Sequence, residues 1–86
     1  MVTREAMIRN AHGLHLRQAA QLVQLASAYA CDLFLEKGGE RADARSPMEL
    51  MGLGAVVGEI VRVVAEGQDE LAAVEALAAL IAALED

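Results

Sequence analysis

Apolar and polar positions alternate with period two in some stretches and recur every three to four residues in others, and these changes of period divide the chain into elements. Residues 2–9 predict a strand. Val2, Ala6 and Ile8 share one face, with Arg4 the exception, while Thr3, Glu5 and Arg9 lie on the other. Asn10 to Gly13 is a turn by composition. Residues 16–28 predict a helix, with Ala19, Leu22, Val23 and Ala26 on the buried side and Arg17, Gln18, Gln21 and Gln24 on the other. Residues 31–36 alternate again, with Cys31, Leu33 and Leu35 inward. Lys37-Gly38-Gly39-Glu40 then predicts a hairpin into a short, polar edge strand over 40–44.

Ser46-Pro47-Met48-Glu49 carries three helix-start signals: serine for the N-cap, proline for the first position, and a glutamate that completes a capping box. Gly52 and Gly54 keep that helix short. Residues 59–65 are rich in β-branched side chains and predict a central strand, ended by Gly67. Asp69 is placed to cap a last helix over 70–84, with Glu70 in its first turn and Leu71, Val74, Leu77, Ala78, Ile81 and Leu84 on one stripe. The order β-α-β-β-α-β-α predicts an α+β fold with helices on one face of an antiparallel sheet.

Composition narrows the functional classes. Eighty-six residues suit one domain, and with Tyr29 and Phe34 the only Phe, Tyr or Trp, the core must be aliphatic. A lone Cys31 excludes an intramolecular disulfide and fits a buried thiol in a reducing compartment. The net charge of −6 argues against nucleic acid and anionic membranes as partners. No long apolar run follows Met1, and the alanine-rich segment near residue 80 is too short to span a bilayer, so the expectation is a cytoplasmic protein.

The candidate chemistry lies in Gly13-Leu14-His15-Leu16-Arg17-Gln18-Ala19-Ala20. It sets a histidine where a glycine-relaxed turn hands over to a helix. The first amides of a helix are unpaired and its dipole is positive there, so the position attracts anions. An imidazole at that point can accept a phosphoryl group, with the Leu16 and Arg17 amides and the Arg17 guanidinium as donors to its oxygens. His12 and His15 have a His-x-x-His spacing, but a metal needs further ligands, and Cys31 is assigned to a strand. His12 is therefore read as a loop residue and no metal is expected. Ser46 needs no role beyond its cap. Met48 and Met51 fit the core and an exposed patch with Leu16 and Ala20 equally well.

Three blocks together resemble one family. Asn10-Ala11-His12-Gly13-Leu14-His15-Leu16-Arg17 is similar to the active-site signature of HPr, the histidine-containing phosphocarrier of the bacterial phosphoenolpyruvate:sugar phosphotransferase system. Ser46-Pro47-Met48-Glu49-Leu50-Met51-Gly52-Leu53-Gly54 resembles its serine-site motif, and Ala65-Glu66-Gly67-Gln68-Asp69-Glu70 the turn before its last helix. The resemblance covers essentially the whole chain and implies a single HPr-like domain over 1–86, an open-faced β-sandwich with three helices on one face of a four-stranded antiparallel sheet. It implies that His15 takes a phosphoryl group on Nδ1 from phospho-enzyme I and passes it to IIA domains for sugar uptake. Arg17 would flank the phosphohistidine. Ser46 would be the target of a serine kinase/phosphorylase.

The resemblance further implies a cytoplasmic, monomeric carrier without cofactor, metal or independent turnover. It would dock its partners through Leu16, Ala20, Pro47, Met48 and Met51, with Arg17 and Arg45 lending local positive charge. Three positions depart from the family. Leu16 replaces a small residue, Gln18 a proline, and Pro47 the usual apolar residue after the serine. Two rivals remain: a nitrogen-branch regulatory carrier, which Gln18 keeps open, and a phosphate-inactive interaction module, against which His15 and Arg17 argue. An RNA-binding domain of the same element order is disfavoured by charge and by the lack of stacking aromatics.

Overall fold

Four strands and three helices follow one another as β1 (Val2–Met7), α1 (Leu16–Ala26), β2 (Asp32–Lys37), β3 (Glu40–Asp43), α2 (Pro47–Gly52), β4 (Ile60–Glu66) and α3 (Glu70–Ala83). They are seen in a computed structural model that describes residues 1–86. The strands form one antiparallel sheet in the order β1-β4-β2-β3, so β4 is interior and the polar β3 lies at an edge. All three helices cover one face and leave the other open, the arrangement of an open-faced β-sandwich. No helix is long and apolar enough to cross a membrane.

Covering one face only is what produces the alternation. On the helix side the register aligns Val2, Ala65 and Leu33, then Arg4, Val63, Leu35 and Ala42, then Ala6 and Val61. These meet Leu22, Leu50, Leu77 and Ile81 from the three helices in one aliphatic cluster. Each fully buried leucine or isoleucine there contributes about 1.5–3 kcal/mol. Arg4, the polar exception, stands on edge strand β1 and reaches Glu75 of α3 at 3.6 Å, its head still in solvent.

The open face carries a charge ladder. Glu5, Arg62, Glu36 and Arg41 lie side by side across the four strands. Glu36 accepts from Arg62 Nη2 at 2.8 Å on one oxygen and from Arg41 Nη2 at 2.6 Å on the other. Arg41 is the main cause of a Glu36 carboxyl held below its usual range. The same guanidinium lies 4.6 Å from the centroid of the Phe34 ring, which helps shield the buried Val64 between Thr3 and Phe34.

Several side chains serve ends that periodicity does not reveal. Asp69 stands at the cap position of α3 with φ 58° but makes no cap bond to that helix. Its carboxylate accepts instead from the Ala30 and Cys31 amides at 3.1 and 3.2 Å, tying the start of α3 to the entry of β2. Arg45, expected to face partners, turns inward: its Nη2 donates to the carbonyls of Ala26, Tyr29 and Cys31 at 2.7–2.9 Å. The helix ends at Ala26 rather than residue 28 because the next amides bond only three residues back, Ala28 N to Leu25 O and Tyr29 N to Ala26 O, and Arg45 adds a donor to the carbonyls of the chain that leaves it.

The capping box at α2 is half formed. Ser46 Oγ accepts from the Glu49 amide at 3.2 Å, but the Glu49 carboxylate accepts from Asp43 N, not from Ser46 N. Leu71, placed on the buried stripe of α3, lies past its edge and is exposed; Ala73 takes the inward position. Cys31 is buried, and burial first, then Asp69, pushes its thiol pKa up.

Asp69 generates a test. The Ala30 N–H is the chief cause of its lowered pKa. A carboxylate whose folded pKa is depressed stabilises the protein above its unfolded pKa and loses that contribution as pH falls through the folded value. Denaturant midpoints should therefore fall as the solution is acidified below about pH 4. Asp69→Asn should be less stable than wild type at pH 7 and show a shallower acid slope; identical slopes would refute the assignment.

Candidate functional site

The site is built from the segment that turns the chain out of β1. Ile8 continues the pairing beyond the regular strand, accepting from Gly58 N at 2.8 Å and donating to Glu59 O at 2.9 Å. Gly13 then adopts φ 65° and lies so close to residues 55–56 that a Cβ would fall 2.3 Å from the Ala55 carbonyl oxygen. Only glycine fits there, on both counts. Leu14 donates to the same oxygen at 3.3 Å and buries its side chain. The supporting loop is itself braced: Glu59 accepts from Val56 N at 2.8 Å, and Lys37 Nζ reaches the Leu53 and Gly54 carbonyls and Glu59 at 3.2 Å each.

This delivers His15 as the N-cap of α1, extended at φ −82° and ψ 178°. Its carbonyl accepts the first helical bond, from Ala19 N at 2.8 Å, while its side chain makes no cap bond. The ring is exposed. It is therefore not a histidine consumed in capping. The amides of Leu16, Arg17 and Gln18 fill the first turn, where a helix offers them no carbonyl one turn back. His15 lines none of the surface depressions, the largest of which lies on the open sheet face around Glu36, Lys37 and Arg62. An acceptor on exposed surface suits a protein partner better than an engulfed small molecule.

The other expected site residues divide. Arg17 is exposed, with Nη1 3.4 Å from the Asp86 carbonyl oxygen. Leu16 is 63% exposed and Met48 79%; Ala20 and Met51 are also exposed and Pro47 is half-buried, on helices α1 and α2 that pack against each other. The methionines thus belong to the surface, not the core. Ser46 stands at the start of α2 with its hydroxyl oxygen turned to the Glu49 amide.

Gln18 corrects the sequence reading. Assigned to the polar side, it is only 3% exposed. The signal was present, since it lies four residues before the buried Leu22 and so under the same stripe. Its Nε2 donates to Glu85 O at 2.7 Å. Asp86, for which the sequence held no signal, completes the loop. One carboxylate oxygen accepts from Asn10 Nδ2 at 3.0 Å and His12 N at 2.9 Å, and the other from Ala11 N at 3.1 Å. The His12 N–H is the first cause of a lowered Asp86 pKa. His12 also brings Nδ1 to 3.3 Å from Asp86 and its ring to 5.6 Å from that of His15, so it faces a carboxylate within its own loop.

The family whose model is described as PTS HPr component phosphorylation site matches residues 2–83. The phosphocarrier protein HPr of Haemophilus influenzae is 40% identical over 85 residues, spanning 99% of this chain and 100% of that one. A crystal structure of HPr from Thermoanaerobacter tengcongensis superposes with a TM-score of 0.88 at 41% identity, over 94% of this chain and 91% of the other. The catabolite-repression protein Crh of Bacillus subtilis, crystallised as a swapped dimer, superposes at 0.77 and 42% identity over 94% and 93%.

The close approach at Gly13 is open to direct measurement. Gly13→Ala adds both a steric clash and a left-handed backbone cost, so it should destabilise the fold by about 2–4 kcal/mol in urea denaturation. Gly38→Ala shares the positive φ but meets no neighbouring atom within 4 Å, and should cost less. Equal losses would show that the Ala55 contact is relaxed in solution.

Proposed function

Because this chain belongs to the HPr family of phosphotransferase-system phosphocarriers, we propose that His15 receives the phosphoryl group from phospho-enzyme I and hands it on to a IIA domain. The chain is a carrier component, not an enzyme with its own turnover. The observation that supports His15 is its exposed, uncommitted ring at the N-cap of α1.

In the first step a ring nitrogen lone pair forms the N–P bond as the donor's bond to phosphorus breaks. The bound group brings negative charge to a helix start, where the dipole and the amides of Leu16 and Arg17 favour it. Arg17 offers planar donors to the same oxygens, exchanging its long contact with Asp86 O for a stronger charged one. In the second step the N–P bond breaks and the acceptor's bond forms. Both steps need chiefly alignment and charge neutralisation, and the larger partner supplies the rest. Leu16, Ala20, Met48 and Met51, flanked by Pro47, form the apolar docking face. Methionines suit a surface that meets several partners in turn.

The carrier works as a cytoplasmic monomer in this reading. A solved structure of Crh is a swapped dimer, so the state of this chain is read by light scattering, with the monomer mass expected and a doubled mass overturning it. Transfer to a sugar-type IIA domain should outpace transfer to a nitrogen-type one; the reverse order would assign the regulatory branch.

The acceptor is tested with phosphoenolpyruvate and enzyme I. Wild type should gain one acid-labile phosphoryl mass, His15→Ala none, and Arg17→Ala should be charged about 10–100-fold more slowly, as expected for loss of a charged contact. Equal labelling of wild type and His15→Ala would refute the assignment.

Ser46 is the regulatory position in this reading. A phosphate on its Oγ would sit at the start of α2, where the amides tolerate it, yet add about two negative charges beside Pro47 and Met48. Ser46→Asp should therefore weaken charging by enzyme I, read as a raised KM, while Ser46→Ala stays near wild type. An unchanged KM in Ser46→Asp would remove that role.

A further inference from the structure

Two amide side chains near His15 are buried at a cost. Asn10 and Gln18 are 6% and 3% exposed, and the carbonyl oxygens Asn10 Oδ1 and Gln18 Oε1 have no hydrogen-bond partner. A buried acceptor without a partner is destabilising. What each residue gains lies on its NH2 group, and both gains involve the segment after α3. Gln18 Nε2 donates to Glu85 O at 2.7 Å, and Asn10 Nδ2 to Asp86 Oδ1 at 3.0 Å as well as to Gly13 O at 2.8 Å. Where the family carries proline, this chain carries the side chain that fixes residues 85–86.

We propose that Asp86 is a positioning residue for phosphoryl transfer at His15, set in place by Gln18. The inference rests on His15 being the acceptor. Asp86 does not touch the reacting atoms. Its carboxylate gathers Asn10 Nδ2, Ala11 N and His12 N within 3.1 Å and so immobilises the loop that leads through Gly13 to the N-cap. Three donors on one carboxylate, one of them from a buried side chain, hold a loop more firmly than neutral turn bonds do. The arrangement has a second effect. The Ala11 and His12 amides are occupied by the carboxylate, whereas the first-turn amides of α1 remain open to an incoming phosphoryl group. The carboxylate thus fixes both the position of the imidazole and the direction from which its phosphate is bound. Arg17, whose Nη1 lies 3.4 Å from the Asp86 carbonyl oxygen, is parked against the same residue until the phosphoryl group arrives.

The test compares Asp86→Ala, Asp86→Asn and Gln18→Ala with wild type, using phosphoenolpyruvate-charged enzyme I. A misaligned acceptor is slow but still competent, so each variant should reach one phosphoryl group per chain at long times. Asp86→Ala should lose about tenfold in kcat with KM unchanged, because the docking face is intact. Asp86→Asn keeps one carbonyl acceptor and should fall between, and Gln18→Ala should lose less than Asp86→Ala. Amide exchange at Ala11 and His12 should quicken in the Asp86 variants and mark the loop as the element released. Charging at the wild-type rate, or a loss confined to KM, would overturn the proposal. Should Asp86→Ala fail to fold, Asp86→Asn makes the same comparison. Absence of labelling in wild type would be a failure of the His15 assignment itself, distinct from a failure of the positioning role.

Discussion

The contact between Gly13 and the Ala55 carbonyl is the constraint on which the site depends. The chain leaves edge strand β1 and must start a helix on the covered face of the sheet within a few residues. A left-handed residue makes the reversal, and the missing Cβ lets the loop lie against residues 55–56. Leu14 then sinks into the core and fixes the direction of the backbone that follows. His15 is left as the first residue that cannot be buried. Its exposure follows from packing just before it, not from any preference of the imidazole.

That constraint is two-sided, since the loop carrying Ala55 is held both from within and by residues remote in sequence. Lys37 at the end of β2 ties down the 53–54 carbonyls, Glu59 takes the Val56 amide, and Ile8 pairs with Gly58 and Glu59. The functional loop thus rests on the β2 end and the entry to β4. The apolar core is purely aliphatic and defines the layers. The precise placement of the loop comes from charged groups on backbone carbonyls and amides, which are directional where aliphatic contacts are not.

The same distinction explains what the sequence showed. Alternation over 2–9 and 31–36, the helical stripes, the glycine hairpin and the Ser46 cap gave the element order and the edge position of β3, and the turn before α1 placed His15 at the helix start. These are local patterns set by which face meets water. Asp69, Arg45, Glu49 and Asp86 were misread or unread because each bonds backbone groups whose lack of partners is a tertiary fact. Ala30 lies 39 residues from Asp69, and His12 lies 74 from Asp86. No periodicity encodes which carbonyl or amide is left over. Gln18 differs, because its spacing to Leu22 was legible and was outweighed by its polarity. The three-block resemblance located the site; it did not reveal how residues 85–86 reach it, since Gln18 is a departure from the family pattern.

An acidic carrier of an anionic group raises an electrostatic difficulty, and the placement of the acids resolves it. With a net charge of −6 the chain as a whole should repel phosphate. Yet Asp69, Glu59, Glu70 and Asp86 each have a depressed pKa whose first cause is a backbone N–H, and Glu36 is held between two arginines. Their negative charge is thus partly compensated by fixed dipoles and cations at short range. The first turn of α1 contains no acidic residue. Its amides are open to the incoming group, with Arg17 beside them. Repulsion from the distant acids falls off over about a Debye length of 8 Å at physiological ionic strength, whereas the donors act at hydrogen-bonding distance. Where the carboxylates are spent therefore decides whether the site can hold a phosphoryl group, and the net charge does not.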